Sequence, residues 1–271
     1  MAATAKQIIE LIDGIAPFRL AERWDNCGLQ AGSYQAEVGK VMVALDVTAE
    51  AMAAAAAQDV DLLLTHHPLF IEPPKQIDFD AMPGQVISMA ARHGIQIVSA
   101  HTNLDKAEDG LNDYFSEYLK LTDLTPLVPE PDGEDGQSRV GIGRLGNLAG
   151  DPTVKQVAEQ LKEALGIPNI RAIGNLDKKV STAAVCTGSG GSLLNAFFAT
   201  PAQIYITGDI KYHEAREIEI HDRALIDVGH FASEIIAVDF LTTRLKAAAD
   251  QAGYDLDVIG FKNEMDPFVL V

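Results

Sequence analysis

Short apolar runs alternate with segments of helical spacing along most of the chain. Runs such as residues 62–64 predict strands that are covered on both faces, and segments such as residues 5–16 predict helices that bury one side. The predicted strands are residues 38–45, 62–65, 95–100, 139–145, 182–186, 204–206, 224–228 and 255–261. The predicted helices include residues 5–16, 84–93, 110–121, 152–165 and about 234–252. We therefore predict an α/β fold with mostly parallel, mixed sheets.

The spacing of these elements is repeated in the two halves of the chain. Val41 and Ala183 are 142 positions apart, and Thr65 and Thr207 are separated by the same number. A β-α-β-α-β unit that occurs twice predicts two internally duplicated α/β repeats. Because polar groups follow the strands in both halves, we expect a metal cleft between the repeats that receives both sets.

A stretch rich in proline, glycine and acidic residues predicts the boundary between the repeats. Residues 126–138 contain three prolines, two glycines and four acids. We assign residues 1–125 to the first repeat, residues 126–138 to a linker and residues 139–271 to the second repeat. The C-terminal part, about residues 227–271, is expected to pack back on the first repeat.

Charge and composition narrow the classes of function. The 271 residues carry a formal net charge of −18, which disfavours direct binding to nucleic acid. No apolar run reaches the roughly 18 residues that suggest a membrane span, and residues 1–6 lack the pattern of a secretory signal. The two cysteines, Cys27 and Cys186, form no CxxC motif. We therefore predict a cytoplasmic protein without a disulfide framework or a cysteine-rich zinc site.

Two adjacent histidines end the predicted strand at residues 62–65. Pro68 cannot donate to a sheet ladder and restricts His67 to extended or turn geometry, so the strand stops there. Open α/β sheets place ligand sites at this carboxyl edge. Leaving the strand lets His66 and His67 turn toward one place, although a solvated turn with two surface histidines would show the same pattern.

Further imidazole and carboxylate groups follow an apolar strand in each repeat. His101 and Asp105 follow the strand in the first repeat, and His230 and Glu234 follow it in the second with the same spacing. On a helix, this i,i+4 spacing puts both side chains on one face. With His66 and His67 there are six candidate groups. Six are too many for one tetrahedral ion and suit two divalent metal ions per chain. Such donors suit zinc, iron or manganese alike.

Two other features leave alternatives open. The glycine-rich residues 188–192 join a predicted strand to a helix, where backbone N–H groups could hold an anion, but a tight turn without a ligand explains them equally well. The G-x-G-x-x-G pattern at residues 141–146 lies inside a predicted strand, so we predict no dinucleotide site. His213 fits a place beside the site and a place on the surface equally.

Six motifs together resemble the Nif-three-like family, whose bacterial members are labelled GTP cyclohydrolase type 2 homologues. These motifs are Trp24–Leu29, His66–Leu69, His101–Asp105, Gly188–Gly191, Gly208–His213 and Gly229–Glu234. The resemblance implies two intertwined α/β repeats, a dinuclear metal site and a ring-shaped homohexamer. It implies metal ligands at His66, His67, Asp105, His230 and Glu234. It places His101 beside the metals, where the ring would support the ligands or relay a proton.

Two functions fit these features. The first is a metal-dependent hydrolase that acts on a nucleotide, a pterin precursor or a related phosphorylated small molecule, with His101 or His213 moving a proton. The alternative is a non-catalytic metal-binding scaffold or metal-handling protein with a protein partner, because no separate nucleophile or general base stands out. A DNA-bound regulator fits least well with the charge of −18.

Overall fold

Strands and helices alternate through the chain, in agreement with the hydrophobic pattern. The structure, a computed structural model, describes residues 2–131 and 138–269. The strands are β1 (Ala3–Thr4), β2 (Gly28–Ala31), β3 (Glu37–Val38), β4 (Lys40–Ala44), β5 (Leu62–Thr65), β6 (Gln96–Ser99), β7 (Thr122–Pro129), β8 (Gly141–Asn147), β9 (Arg171–Ile173), β10 (Thr182–Ser189), β11 (Ile204–Gly208), β12 (Ala224–Asp227) and β13 (Asp257–Gly260). The helices are α1 (Ala5–Ile15), α2 (Ala49–Ala57), α3 (Gly84–His93), α4 (Thr102–Lys106), α5 (Leu111–Tyr118), α6 (Val154–Leu165), α7 (Leu194–Phe198), α8 (Tyr212–Ile220), α9 (His230–Glu234) and α10 (Ile236–Ala252). Within these described residues, no helix is both long and apolar enough to cross a membrane.

The chain forms two compact units whose division differs from the predicted boundary. Unit 1 comprises Met1–Leu104 and Ala237–Met265, and unit 2 comprises Asp105–Ile236 and Asp266–Val271. The predicted linker at residues 126–138 begins inside β7, which pairs with β8 and so belongs to the sheet of unit 2. Its residues 132–137 lie outside the described residues. The chain passes between the units within α4 and at the start of α10, where no proline- or glycine-rich stretch marks the change.

Unit 1 contains a five-stranded sheet in the order β13-β4-β5-β6-β2. All its strands run parallel except β2, which is antiparallel to β6. Every residue of β5 and β6 is buried, which is why residues 62–64 and 97–98 are apolar without alternation. Leu63 of β5 shares one core cluster with Met52 of α2 and Val86 of α3. Both helices therefore bury their apolar side in the same core as the sheet.

Unit 2 contains a six-stranded sheet in the order β7-β8-β10-β11-β12-β9. Strands β10, β11 and β12 are parallel, and the outer strands pair antiparallel. The register of β10 with β11 repeats that of β4 with β5: Val41 pairs with Leu62, and Ala183 pairs with Ile204, each 142 positions later. Within the sheet of unit 1, β4, β5 and β6 therefore have their carboxyl ends at one edge. Within the sheet of unit 2, the same holds for β10, β11 and β12.

Helix boundaries follow local capping chemistry. Thr48 caps α2, as its side chain accepts a hydrogen bond from the N–H of Ala51. Helix α6 begins after Thr153, which forms a capping box with Gln156, and it ends at the left-handed Gly166. The sequence pattern suggested Pro152 as the first helical residue, but the capping box places the start beyond Thr153.

A buried arginine ties α5 to β8 inside unit 2. The side chain of Arg144 is 2% exposed, and its Nε and Nη2 donate to the two carboxylate oxygens of Asp113 at 2.8 and 2.5 Å. Its other N–H groups donate to the carbonyls of Gly141, Gly143 and Ala107 at 2.6–2.8 Å. All five donors of the guanidinium are satisfied, so the buried charge is fully compensated.

We expect Arg144→Met to lower the free energy of unfolding by about 3 kcal/mol, because it leaves the largely buried carboxylate of Asp113 without its ion pair. Urea unfolding of the full chain measures this loss. The control is Arg139→Met, which breaks an ion pair with Glu108 that is 71% and 47% exposed and should cost less than about 1 kcal/mol. Equal losses in the two variants would contradict the role given to Arg144.

Candidate metal centre

His66 and His67 directly follow β5 and continue its pairing with β4. The N–H of His66 donates to the carbonyl of Ala44 at 3.3 Å, and that of His67 donates to the carbonyl of Leu45 at 2.9 Å. The hydroxyl of Thr65 donates to the carbonyl of His67 at 2.7 Å. The backbone of both histidines is therefore fixed at the end of the sheet.

Fixed oxygen atoms hold both rings in one tautomer. Nδ1 of His66 lies 2.9 Å from the carbonyl oxygen of Ala100, and Nδ1 of His67 lies 2.7 Å from Oδ1 of Asp46. Because these oxygens can only accept, each Nδ1 carries a proton and donates it. In the neutral ring the lone pair then lies on Nε2, which is the atom that binds a metal.

Asp25 gives His101 the same arrangement. Oδ1 of Asp25, whose side chain is completely buried, lies 2.9 Å from Nδ1 of His101. The same carboxylate accepts hydrogen bonds from the N–H groups of Asn26 and Thr102, at 2.7 and 3.1 Å, and from the thiol of Cys27 at 3.1 Å. Burial alone would raise the pKa of Asp25, but the hydrogen bonds from His101 and Thr102 and the charge of His101 outweigh it and hold the pKa well below its usual range.

The three imidazoles form one group in unit 1. One ring nitrogen from each of His66, His67 and His101 lies within 4.8 Å of the others. Their ring centroids are 5.1–5.6 Å apart. Cys27 lies beside the group, where burial and the charge and hydrogen bond of Asp25 raise the pKa of its thiol to about 12. At neutral pH Cys27 is thus a thiol that donates to Asp25.

In unit 2, His230 lies between two carboxylates. Its Nδ1 is 2.7 Å from Oδ2 of Asp209, and its Nε2 is 2.8 Å from Oε2 of Glu234, one helical turn along α9. With the Nδ1 proton donated to Asp209, the lone pair on Nε2 faces a carboxylate oxygen. Two acceptors at this distance require a positive charge between them, either a second proton on the ring or a bound cation.

Asp105 adds a second buried carboxylate to this set. Asp105 and Glu234 are 8% and 4% exposed, and one oxygen from each lies within 4.8 Å of the other. Burial and the charges of these two groups raise the pKa of the nearby Cys186 thiol well above its usual range. Two buried carboxylates so close together repel each other, so the donor set fits a divalent cation.

The glycine-rich turn of unit 2 lies against carboxylates and not against an empty anion site. A Cβ atom on Gly188 would come within 2.1 Å of Oε1 of Glu234, and one on Gly191 would come within 2.7 Å of Oε1 of Glu214. Two carboxylates would repel a phosphate bound here. Of the two explanations for residues 188–192, the structure favours the tight turn, which gives Glu234 the room it occupies.

The structure groups six of the seven candidate site residues, three in each unit, as described above. The seventh, His213, is exposed near the start of α8, where its ring packs edge-on against Tyr212 at 5.4 Å. The sequence pattern missed the three orienting carboxylates, Asp25, Asp46 and Asp209. Asp25 lies in the Trp24–Leu29 motif, in which the sequence indicates a family resemblance but no site residue.

We expect Asp25→Asn to weaken metal binding at His66 and His67 by up to about 10-fold, because it releases the ring of His101, which lies beside them. An amide can accept through only one of its two ends, so its NH2 group would face either His101 or the donors from Thr102 and Cys27. Competition with a chelator for bound zinc measures the affinity. Asp59→Asn removes the same charge at an exposed left-handed residue and should leave the affinity unchanged. Equal zinc affinity in the two variants would contradict this role.

We expect Gly188→Ala to reduce metal content by at least about half, because the new methyl group would displace the carboxylate of Glu234. Gly166→Ala is the matched control: its φ of +67° is close to the +64° of Gly188, but nothing lies within 4 Å of its Cβ position. Both changes carry a similar backbone cost, about 1 kcal/mol. Elemental analysis of the two purified variants separates this cost from the loss of the ligand, and equal metal content would refute the prediction.

Comparisons with known proteins agree with one another across the whole chain. The model of the family described as Duf34/NIF3 (NGG1p interacting factor 3) matches residues 3–267. A protein of Clostridium acetobutylicum named GTP cyclohydrolase 1 type 2 homolog is 31% identical over 268 residues, which cover 99% of each chain. A protein of Helicobacter pylori named GTP cyclohydrolase 1 type 2 is 31% identical over 232 residues, which cover 86% of this chain and 87% of the relative.

Solved structures give the same assignment of the fold. A Bacillus cereus protein related to NIF3 superposes with a TM-score of 0.91 over 99% of each chain at 24% identity. The mixed α/β fold is thus shared with NIF3-related proteins. The match of the family model over nearly the full length, together with these relatives, shows that the chain belongs to the DUF34/NIF3 family.

Proposed function

We propose that this chain is a metal-dependent hydrolase that holds two divalent metal ions, which are zinc, iron or manganese, and acts on a nucleotide or a related phosphorylated small molecule. One observation carries the proposal: in the three histidines that we assign as ligands, Nδ1 faces an oxygen acceptor, so that Nε2 is the nitrogen left for a metal ion. Metal-ligating histidines in proteins are oriented in this way. We assign the ligands to His66, His67, Asp105, His230 and Glu234.

The proposal includes a dinuclear metal centre held by these five ligands. The chain passes from unit 1 to unit 2 between Leu104 and Asp105, and it returns between Ile236 and Ala237, two residues after Glu234. Ligands of unit 2 thus lie next to both crossings along the chain. The equal register of β4–β5 and β10–β11 supports an internal duplication, in which corresponding strand ends would carry the ligands.

The residues of the chain have distinct roles in this proposal. Bound divalent ions supply Lewis acidity and activate water at neutral pH. Asp105 and Glu234 contribute negative charge that offsets the charge of the ions. Asp25 keeps the proton of His101 on Nδ1, so that Nε2 of His101 can accept a proton from the attacking water and return it to the leaving group.

The choice of a phosphorylated substrate rests on the names of relatives and on charge. The relatives from Clostridium acetobutylicum and Helicobacter pylori are named for a GTP cyclohydrolase, which takes a nucleotide. A chain with a net charge of −18 repels phosphate groups unless a metal or a local cationic pocket offsets its charge. The proposed metal ions would provide that offset.

A metal-binding scaffold with a protein partner is the second candidate function. The segment after His67 exposes large apolar side chains: Ile77, Phe79 and Met82 are 52%, 62% and 52% exposed. Exposed apolar residues close together in sequence are a feature of surfaces that bind other proteins. In this case the metal would be bound without turnover.

Metal content and turnover together test the proposed function. We expect about two ions per chain in untagged protein, and a loss of metal together with a fall in hydrolysis of at least about 100-fold in His66→Ala and in Glu234→Ala. His93→Ala, which changes an exposed histidine at the end of α3, is the control. The measurements are elemental analysis and product formation from a panel of nucleotides and phosphate esters.

The outcomes separate the two functions. Metal that is lost in both variants, with no turnover of any panel member, would reject the hydrolase and support the scaffold. No stoichiometric metal after reconstitution with zinc, iron and manganese would reject both.

A further inference from the structure

The only tryptophan of the chain is exposed, although its backbone is held firmly. Trp24 is 58% exposed. On one side of it, the N–H of Glu22 donates to Oγ1 of Thr102 at 2.9 Å. On the other side, Asp25 accepts hydrogen bonds from Thr102 and His101. The turn closes with a hydrogen bond from the N–H of Asp25 to the carbonyl of Glu22 at 2.9 Å. A large apolar ring is thus kept in solvent by a rigid turn.

This turn places the indole beside the three-histidine group. The ring centroids of Trp24 and His101 are 6.2 Å apart, and the ring planes meet at 77°. In the described part of the chain, this is the one ring pair that Trp24 forms. A nearly perpendicular contact with one neighbour leaves indole surface open for a second ring.

The chemistry of the indole limits what can bind there. Indole neither binds divalent metals nor carries a charge for phosphate, whereas its face stacks on flat aromatic rings of any base. A platform that is already fixed loses little entropy on binding. We propose that Trp24 is the surface on which a planar heteroaromatic ring of the ligand stacks, so that the site prefers ring-bearing phosphorylated molecules to aliphatic phosphate esters. This inference rests on the proposed function, because it assumes that the histidine group is a ligand site.

The single tryptophan makes binding directly observable. When the full, zinc-loaded chain is excited at a wavelength that tyrosine does not absorb, its fluorescence reports only on Trp24, so GTP and guanosine should each cause a saturable change in emission. Ribose 5-phosphate and inorganic phosphate should cause no change in emission.

Calorimetry of variants is the second test. Trp24→Ala should bind GTP roughly 5- to 150-fold more weakly, and its affinity for ribose 5-phosphate should change by less than about 2-fold. Trp24→Phe, which keeps a flat ring, should recover part of the loss. Tyr34→Ala removes another half-exposed aromatic ring and should bind both ligands as the unchanged chain does.

Several results would overturn the inference. One is an equal loss of affinity for GTP and ribose 5-phosphate in Trp24→Ala, and another is the absence of a saturable emission change with either ring-bearing ligand. A third result combines two measurements: the unchanged chain shows the emission spectrum of a buried indole, and Trp24→Ala has a smaller sedimentation coefficient than the unchanged chain. A second copy of the chain would then cover the ring. Failure of the proposed function would give another result. The emission would still change only with ring-bearing ligands, but His66→Ala would have the same metal content and turnover as the unchanged chain.

Discussion

The candidate site depends on the hydrogen bond that fixes Nδ1 of each clustered histidine. A free imidazole can place its lone pair on either nitrogen and can rotate, so a pair of adjacent histidines alone does not define a ligand geometry. Here Ala100, Asp25, Asp46 and Asp209 each offer an oxygen to one Nδ1. All four acceptors follow strands or lie in turns fixed by the backbone. The sheets therefore determine the tautomer as well as the position of each ring.

Close backbone approach is the second requirement of the site, and it explains the glycines. A Cβ atom on residue 208 would lie within 2.7 Å of the backbone of Gly229 and His230. Helix α9 can therefore start beside residue 208 only because that residue is a glycine. Gly188 gives the same room to the carboxylate of Glu234. The glycine-rich residues 188–192 resemble an anion-binding turn in sequence, but the groups that Gly188 and Gly191 admit are the carboxylates of Glu234 and Glu214. Sequence alone does not show which group occupies the space that a glycine leaves.

Elements defined by local periodicity could be predicted from the sequence, and features defined by distant contacts could not. Strands β5 and β6 and helix α3 follow directly from apolar runs and a glycine stop. The sequence predicts that a linker starts at Pro126, inside β7, because Pro126 and Pro129 are typical of a loop, yet pairing with β8 on one side only accommodates both prolines. Asp25 and His101 are 76 positions apart, so no local pattern joins them. A weak signal existed, since an aspartate follows the only tryptophan in a turn that has no evident structural need for a charge.

The proposed duplication also explains why the two units supply different donors. With an offset of 142 positions, His67 in the first half corresponds to Asp209 in the second. The end of β5 thus carries a candidate ligand, His67, whereas the corresponding end of β11 carries Asp209, a carboxylate that orients His230. The group in unit 1 consists of imidazoles, whereas the group in unit 2 consists of His230 and two buried carboxylates. Uncharged nitrogens do not offset the charge of a divalent ion, whereas clustered carboxylates repel one another without a cation. The two halves have therefore diverged in the charge of their candidate donors.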